Sequence, residues 1–350
     1  MVVRPARLNP PMQSVRLLDP ENGLDGVIAI HSTAIGPGAG GCRFWHYPDL
    51  ESAFDDACRL AEGMSYKNAL AGLPFGGAKA VLRRPEGAFD RTALFRAFGR
   101  AVEALDGLYV TAEDVGTTVA DMRDVSSATR HVAGLDSSDD QAGGDPSPWT
   151  ALGVFEAMRA AARLTLGAEL SDLTVAVQGT GNVGASLCRR LADAGARLII
   201  ADIDPRRRNA LSAVLDAHIV DVEDIASVEA DIFAPCALGG ALTVQSVTAM
   251  QARLVCGAAN NQLASPEVAD LLLERGIAYA PDYVVNAGGI ISVSAEYLGE
   301  DRASVAARVD QIGPRAGEIL DLARREGHSP AWVADEMAER IITAASRQAA

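Results

Sequence analysis

The sequence has little positive charge. It contains 31 lysine and arginine residues against 46 aspartate and glutamate residues, which gives a formal net charge of −15 and an isoelectric point near 4.8. Binding to nucleic acid or to an anionic membrane surface without sequence specificity requires clustered excess lysine and arginine. We therefore expect neither partner, and small anionic ligands would have to be bound by individual cationic side chains.

Patterns of disulfide, metal-binding and membrane-spanning proteins are missing too. The five cysteines form no C-x-x-C pair, and the five histidines are isolated, with no H-E-x-x-H pattern. We therefore expect free, buried thiols and no metal site. The sequence has no run of about 18 apolar residues, and its first residues lack the charged start and apolar core of a signal peptide. These absences predict a cytoplasmic protein.

Lysine is nearly absent. Lys67 and Lys79 are the only two in the chain, and both lie in the segment YKNALAGLPFGGAK. A coding bias toward arginine explains the scarcity but not why the two remaining lysines lie twelve residues apart. A lysine can lose its proton when it is desolvated or lies beside another cation, whereas arginine stays protonated. Two interpretations remain open: chance retention of surface lysines, or a site that needs a compact or deprotonable amine.

The chain length predicts two domains, because 350 residues exceed the size that a single hydrophobic core usually reaches. The first half alternates strands and helices after a predicted hairpin, QSVRLLDP and GVIAIHST. A segment rich in Gly, Ser, Asp and Pro at 131–148 predicts the boundary. We expect a first α/β domain at 1–146, which residues 328–350 complete through a returning C-terminal helix, and a second domain at 147–327.

The second half repeats strand and helix more regularly. Short strands rich in β-branched residues alternate with helical segments, which is typical of a parallel, doubly wound Rossmann-type sheet. The predicted strands are LTVAVQG, RLIIADI, AHIV, DIFAPCA, RLVCGAA and IAYAPDY.

A dinucleotide motif opens this half. VAVQGTGNVGASLCRRL carries Gly179, Gly181 and Gly184 in G-x-G-x-x-G order between a predicted strand and a predicted helix. Asp202 ends the next strand, 21 residues beyond Gly181, where an acid would accept hydrogen bonds from the adenosine ribose. Arg206–Arg208 could instead meet a 2′-phosphate, but an acid at 202 would repel that group. The motif therefore predicts NAD rather than NADP.

The substrate side of the reaction falls to the first half. The predicted strand LYVTAED ends in Glu113 and Asp114, at the edge where open α/β sheets place their ligands. The glycines between the lysines, among them Gly76 and Gly77, would let backbone approach a small ligand. Asp114 could be catalytic or could cap the following helix. Glu113 is interpreted as structural.

Five motifs in series resemble the family of NAD-dependent amino-acid dehydrogenases that act on leucine, valine and phenylalanine, with glutamate dehydrogenases as distant relatives. The motifs are GMSYKNALAGLPFGGAK, TAEDVGTT, APCALGG, GAANNQ and APDYVVNAGG, and the similarity runs from about residue 12 to about residue 340. It implies reversible oxidative deamination of an L-amino acid to a 2-oxo acid, ammonium and NADH. It also implies a homo-oligomer formed through the first domain.

The resemblance assigns roles to individual residues. Lys67 would bind the substrate carboxylate, Lys79 would be the base that activates water, and Asp114 would shuttle protons with the amino group. Gly40 and Gly41 would line the substrate site, with their amides available to the carboxylate. The other implied substrate contacts are Ala39, Met64, Asn260 and Val293, and the implied cofactor contacts are Gly179, Gly181, Asn182, Val183, Gly184, Asp202, Ala237, Asn261 and Asn286; which of Asn260 and Asn261 meets the substrate stays open.

Substrate preference is predicted from the pocket walls. Leucine-preferring relatives tend to carry a larger apolar residue at the position of Ala39, so alanine should leave room for phenylalanine as well as leucine. Val293, with Ile290 or Ile291, would form an apolar opposite wall, which argues against glutamate. TAEDVGTT is closer to the leucine and valine enzymes. Two alternatives remain: a dehydrogenase of 2-hydroxy or other 2-oxo acids, and a dinucleotide-sensing paralogue without turnover.

Overall fold

The chain forms two compact units in the computed structural model, which describes residues 11–135, 142 and 144–349. The first unit takes in the described residues up to Gly144, together with 292–304 and the chain from 338 onward. The second unit comprises 145–291 and 305–337. The predicted boundary segment lies partly outside the described residues, at 136–141 and 143.

The first unit contains a mixed sheet. Its six strands run in the order β1-β2-β5-β3-β6, and β4 pairs with a later stretch of β5. The predicted hairpin is confirmed, since β1 and β2 are antiparallel and pair from Gln13↔Ile30 to Asp19↔Leu24. The strands are β1 (Gln13–Asp19), β2 (Leu24–Ser32), β3 (Gly38–Ala39), β4 (Cys42–Trp45), β5 (Gly76–Arg83) and β6 (Tyr109–Val110).

Helices cover both faces of this sheet. Alternate side chains of a strand point to opposite faces, so each strand contributes apolar side chains to both. Val27 and Val81 pack on one face against Ala53 and Ala57. The other face, which includes Ile28, packs against a phenylalanine-rich helix. The helices that lie wholly in this unit are α1 (Leu50–Leu70), α2 (Arg91–Glu103) and α3 (Val119–Ser126).

The second unit is the predicted Rossmann-type fold. All strand pairs of its sheet are parallel, and the strand order is β12-β11-β10-β7-β8-β9. The chain adds strands on one side of β7 as far as β9 and then continues on the other side of β7 with β10, so the topological switch point lies between β7 and β10. Ligands of such sheets bind outside the carboxyl ends of the strands at this switch point. Each predicted strand is present: β7 (Thr174–Gln178), β8 (Arg197–Ala201), β9 (His218–Ile219), β10 (Ile232–Pro235), β11 (Leu254–Val255) and β12 (Ala278–Tyr279).

Helices connect these strands and extend to the end of the described chain. They are α4 (Ser147–Thr165), α5 (Asn182–Asp193), α6 (Pro205–Leu215), α7 (Val244–Ala249), α8 (Glu267–Glu274), α9 (Asp282–Val285), α10 (Gly288–Leu298), α11 (Arg302–Val309), α12 (Ile312–Glu326) and α13 (Pro330–Ala349). Among the described residues, no helix combines the length and apolar character needed to span a bilayer.

Three predicted assignments differ from the structure. Residues 328–337 were placed with the first domain, but they group with the second unit. Residues 292–304 were placed in the second domain, but they group with the first unit, where Glu296 accepts hydrogen bonds from the amides of Gly134 and Leu135 at 3.0 and 2.8 Å. Helical periodicity cannot reveal which core a helix joins. The predicted strand LYVTAED is also shorter: only Tyr109–Val110 pair as β6, and Asp114 lies in the loop that follows.

Candidate active site

Lys79 is a buried cation in the middle of β5. Its side chain is 6% exposed, and its Nζ lies 2.8 Å from Oδ2 of Asp114. Strand alternation directs Lys79 to the same sheet face as Val81, which is the face covered by α1. The structure therefore brings together two of the residues to which the sequence assigned the chemistry.

The loop Gly40–Gly41 passes directly beside this pair. β3 and β4 are successive parts of one segment that runs along β5, and the loop lies between them. A Cβ on Gly40 would lie 1.8 Å from the Ala78 carbonyl oxygen, and one on Gly41 would lie 2.8 Å from the Asp114 Cβ. No larger residue fits at either position while the loop stays this close to Lys79 and Asp114.

One part of the predicted role of this loop is wrong. The Gly40 amide donates to the Val110 carbonyl oxygen at 3.1 Å, so it is not available to a substrate carboxylate. The role of the Gly41 amide stays a prediction. Gly76 and Gly77 also have a packing reason, because a Cβ on them would lie 1.8 Å from the Ser32 oxygen and 2.1 Å from the Ser65 nitrogen. Backbone packing alone is enough to require glycine at these two positions, and their approach to a ligand stays a prediction.

Neighbouring cations keep the Asp114 carboxylate in its ionised form. Burial opposes its ionisation, but Lys79 and Arg43 outweigh this effect and lower the pKa of Asp114 below its ordinary value. The alternative role as a helix cap is wrong, because Thr118 caps α3 and forms a reciprocal capping box with Asp121. The Asp114 amide donates to Thr117 Oγ1 at 2.8 Å, which fixes the backbone at this point.

The end of α1 supplies the other candidate substrate contacts. Lys67 lies in its last turn, three residues after Met64, so both side chains lie on one helix face. Met64 lies beside the glycine loop, with its Cγ 3.1 Å from the position of a Cβ on Gly40. Asn68 is fully buried, and its Nδ2 donates to the Gly76 and Ala39 carbonyl oxygens at 2.6 and 3.4 Å. These bonds tie the helix end to β3 and β5.

The residues predicted to line the side-chain pocket are buried or half-buried. Ala39 is 6% exposed in β3. Val293 is half-buried and belongs to the first unit, as Ala39 does. Ile290 and Ile291 belong to the second unit.

Sequence reasoning missed two residues of this site. The Tyr109 hydroxyl, fully buried, donates to the Gly40 carbonyl oxygen at 2.8 Å and so supports the glycine loop from behind. Arg43 lies 3.3 Å from Asp114 Oδ2 through its Nε. Tyr109 reads as an ordinary strand residue, and Arg43 is one of many arginines. The position of Arg43 directly after GPGAGGC was the one available signal in the sequence.

The glycine motif of the second unit forms a candidate dinucleotide cradle at the switch point. Gly179 has a φ of +95°, and a Cβ there would lie 2.9 Å from the Ala237 nitrogen at the end of β10. A Cβ on Gly184 would lie 2.0 Å from the Gly179 oxygen, so this glycine allows helix α5 to pack on the strand. Gly181 differs, because a Cβ there would meet only the far end of Arg207 at 4.0 Å. Protein packing does not require this glycine, and the open space suits a pyrophosphate.

The start of α5 has the donors that a pyrophosphate needs. Gly181 is its N-cap and provides no side-chain cap. Amides of the first helical turn, which begins with Asn182 and Val183, therefore point toward the cradle with the positive end of the helix dipole.

The Asp202 carboxylate is held by three hydrogen bonds at the carboxyl end of β8. It follows β8 and accepts hydrogen bonds from the Thr180 amide at 2.6 Å, the Thr180 hydroxyl at 3.0 Å and the Asp204 amide at 2.8 Å. Burial opposes the charge, but these bonds outweigh it and lower the pKa of Asp202. The carboxylate is thus ionised near neutral pH, and about one of its roughly four acceptor positions remains for a ribose hydroxyl.

The three arginines beyond Asp202 pair with acids. Arg206 is 96% exposed and lies 4.0 Å from Asp204, which Arg207 approaches at 3.6 Å. Arg208 lies 3.8 Å from Asp221.

A cluster of amides lies farther along the same sheet edge. Asn286 is 4% exposed, and its Nδ2 donates to Asn260 Oδ1 at 2.8 Å and to the Ala258 oxygen at 3.1 Å. Its Oδ1 has no partner among the described residues. A buried acceptor of this kind suits the carboxamide N–H of a nicotinamide or a substrate amine. Asn261 has a φ of +52°, and its amide donates to Asp282 at 2.7 Å.

In the described part of the chain, no group of three or more histidine, cysteine, aspartate or glutamate side chains could hold a metal ion. The five cysteines are free.

Comparison with known proteins supports the features described above. Residues 11–131 match the model of the Glu/Leu/Phe/Val dehydrogenase dimerisation domain, and residues 200–312 match the model of the glutamate/leucine/phenylalanine/valine dehydrogenases. Leucine dehydrogenase of Geobacillus stearothermophilus is 46% identical over 325 residues, which cover 93% of this chain and 88% of that protein. Valine dehydrogenase of Streptomyces albus is 44% identical over 340 residues, covering 95% and 92%.

A solved structure agrees with both units. L-tryptophan dehydrogenase from Nostoc punctiforme superposes with a TM-score of 0.86 at 36% identity, and the match covers 97% of each chain. Together with the two matching family models and the paired Lys79 and Asp114, these similarities establish that the chain belongs to the Glu/Leu/Phe/Val dehydrogenase family.

Proposed function

We propose that this amino-acid dehydrogenase uses Lys79 and Asp114 as its catalytic pair in the reversible oxidative deamination of an apolar L-amino acid. The amino acid, oxidised nicotinamide dinucleotide and water become a 2-oxo acid, ammonium, the reduced dinucleotide and a proton. The observation that carries the proposal is the 2.8 Å contact between a 6% exposed lysine amine and an aspartate carboxylate beside the glycine loop.

The residues of the first unit provide the proton transfers. Lys67 binds the substrate carboxylate as a compact charge. Lys79 passes its proton to Asp114 and then, as the neutral amine, takes a proton from the water that attacks the carbon of the substrate imine. Asp114 in turn exchanges protons with the amino group. The 2.8 Å contact lets a proton pass between Lys79 and Asp114 without rearrangement.

The second unit holds the nicotinamide dinucleotide. The bound dinucleotide would accept the hydride from the substrate α-carbon. Gly181 and the first turn of α5 leave room and donors for its pyrophosphate, and Asp202 offers an acceptor to the adenosine ribose. Asn286 has an unpartnered buried oxygen for an amide or amine donor.

An enzyme of 2-hydroxy acids is not favoured. Such an enzyme usually pairs a catalytic histidine with an arginine. The buried His131 contacts the Tyr297 hydroxyl at 3.0 Å, and the comparisons lead to amino-acid dehydrogenases. A paralogue without turnover is not favoured either, since Lys79 and Asp114 are both present and paired.

The first unit also carries the proposed oligomer interface. Residues 11–131 match a dimerisation-domain model. We propose a homo-oligomer assembled through this unit.

The amino-acid class is tested directly by a substrate panel. The enzyme should release ammonium from leucine, valine and phenylalanine with the oxidised dinucleotide, and much less from glutamate or 2-hydroxy acids. A preference for glutamate would contradict the apolar class. Turnover of 2-hydroxy acids without ammonium would overturn the reaction type.

Substrate size depends on Ala39 in the proposed pocket. Replacing Ala39 with leucine should lower kcat/KM for phenylalanine more than for leucine, because the added bulk fills the space that an aromatic ring needs. One methylene in such a pocket is worth about 1 to 3 kcal/mol, which is about 5- to 150-fold, and leucine adds more than one carbon, so the phenylalanine-to-leucine ratio should fall by at least about fivefold. Steady-state kinetics with both amino acids measure the ratio. An unchanged ratio would show that Ala39 does not line the pocket.

Cofactor choice is proposed to depend on Asp202. The native enzyme should prefer NAD over NADP by at least about tenfold in kcat/KM, because a carboxylate repels the 2′-phosphate. Asp202→Asn should reduce this preference, since the amide keeps an acceptor for Thr180 but removes the charge. The matched control is Asp221→Asn, which removes an acid that is 76% exposed and pairs with Arg208. Equal native rates with both cofactors would contradict the role of Asp202.

A further inference from the structure

The Asp114 carboxylate has two cationic partners on the same oxygen. Lys79 Nζ lies 2.8 Å from Oδ2, and Arg43 Nε lies 3.3 Å from it. Arg43 lies on β4, two residues after the glycine loop, and its side chain is 18% exposed. The proposed mechanism uses Lys79 and Asp114 but leaves Arg43 without a role.

Arg43 also binds a second carboxylate. Its Nη1 donates to Asp56 Oδ2 at 2.9 Å, and the same oxygen accepts a hydrogen bond from the Tyr47 hydroxyl at 2.6 Å. Asp56 Oδ1 accepts from Arg59 at 2.6 Å. Arg43 therefore joins the loop that carries Asp114 to helix α1 through the two ends of one guanidinium group.

The partial burial of this chain of contacts separates it from ordinary surface ion pairs. The side chains of Arg43, Asp56 and Asp114 are 18%, 17% and 22% exposed. Burial opposes the charge on Arg43, but Asp114 and Asp56 outweigh it and raise the pKa of Arg43. A planar guanidinium offers donors in fixed directions and can hold two carboxylates at once, whereas an ammonium is a single point charge.

We propose that Arg43 is a positioning residue for the reaction, which holds Asp114 in the orientation that reaches Lys79, and that Asp56 holds Arg43 in turn. This inference rests on the proposed catalytic roles of Lys79 and Asp114. Without Arg43, the Asp114 side chain keeps one cationic partner and can rotate away from the line to Lys79. Misplacement of a reacting group by about 1 Å can lower the rate by about 100-fold.

The thiol and the phenol hydroxyls that face this cluster are neutral near pH 7. Burial raises the pKa of the Cys42 thiol well above its ordinary value and also raises the pKa of the Tyr47 and Tyr109 hydroxyls. The charge around Asp114 is thus determined by the ionised side chains near it. These are Lys79 on β5, Arg43 on β4, Asp56 and Arg59 on α1, Asp121 on α3 and Arg91 on α2.

The test compares Arg43→Gln, Arg43→Lys and Asp56→Asn with the native enzyme. Arg43→Gln should lower kcat for amino-acid oxidation by about 10- to 100-fold, with a smaller change in KM, because substrate binding is assigned to other residues. It should also move the acid limb of the kcat/KM profile to higher pH, since Asp114 loses a cation that favours its ionised form. Arg43→Lys should restore the midpoint of the acid limb more fully than it restores kcat. Lysine keeps the positive charge but lacks the fixed set of guanidinium donors that contacts both carboxylates.

Asp56→Asn separates positioning from charge. It removes a carboxylate that holds Arg43, so kcat should fall, but the acid limb should not move to higher pH because both cations beside Asp114 remain. The control is Arg83→Gln, which removes an arginine of β5 that pairs with Asp25 at 2.7 Å. This variant should keep the native kcat and pH profile, and NADH binding should be the same in all variants.

Two results would overturn the inference while leaving the proposed function intact. One is a native kcat and pH profile in Arg43→Gln. The other is an equal loss of activity in Arg43→Gln and Arg83→Gln with an equal loss of thermal stability, which would mean a purely structural role. An absence of amino-acid oxidation by the native enzyme itself would overturn the proposed function and this inference with it.

Discussion

Lys79→Arg is expected to lower kcat by about 100- to 10,000-fold, the range that a positioned acid or base supplies, while NADH binding is unchanged. Guanidinium stays protonated at all working pH values, so it cannot take a proton from water. The site also offers little room, because the lysine side chain is only 6% exposed. Single-turnover kinetics measure the chemical step, and NADH fluorescence measures cofactor binding in the other unit.

Lys67→Arg is the matched control, since it makes the same substitution at the other lysine of the chain. It keeps the positive charge, so it should raise KM for the amino acid more than it lowers kcat. Near-native activity of Lys79→Arg at neutral pH would show that Lys79 is not the base. Equal effects of the two substitutions on kcat would mean that the chemistry is not specific to position 79.

Asp114→Asn should produce a loss of comparable size, about 100- to 10,000-fold in kcat. The amide keeps the shape of the side chain but can neither accept a full proton nor neutralise Lys79 across the 2.8 Å contact. Because the two groups act as a unit, the double variant Lys79→Ala with Asp114→Asn should be little worse than the poorer single variant. Losses that multiply in the double variant would contradict a joint role.

The lowered pKa of Asp114 predicts the pH range over which its ion pairs stabilise the folded protein. Its value in the folded protein is lowered below the ordinary 3.8, since Lys79 and Arg43 outweigh burial. The stabilisation from its ion pairs is therefore fully present above that ordinary value and is lost as the pH falls through the lowered one.

Much of the fold could be predicted from local patterns. The hairpin of β1 and β2 and all six strands of the second unit follow from short apolar runs between turn residues. The assignment of 292–304 could not be predicted, because helix α10 begins in one unit and continues in the other. Nothing in its apolar spacing encodes the hydrogen bonds of Glu296 to the chain at 134 and 135.

The site could be predicted only where a residue type was rare or lay in a motif. Lys79 was noticeable because the chain has two lysines, and Asp202 because it follows the glycine motif at a fixed distance. Arg43 was not, since its partners Asp56 and Asp114 are 13 and 71 residues away and arginine is common here. The Gly40 amide was assigned to substrate because sequence cannot show that Val110 already accepts its hydrogen.

The most direct test of the central claim is to follow nitrogen from ¹⁵N-ammonium into product. The native enzyme is incubated with NADH, ¹⁵N-ammonium and the 2-oxo acid of leucine, and the product is identified by chiral mass spectrometry. We predict one ¹⁵N-labelled L-leucine for each NADH consumed, and almost none with Lys79→Arg. Formation of an unlabelled 2-hydroxy acid, or equal labelling by native enzyme and Lys79→Arg, would contradict the account.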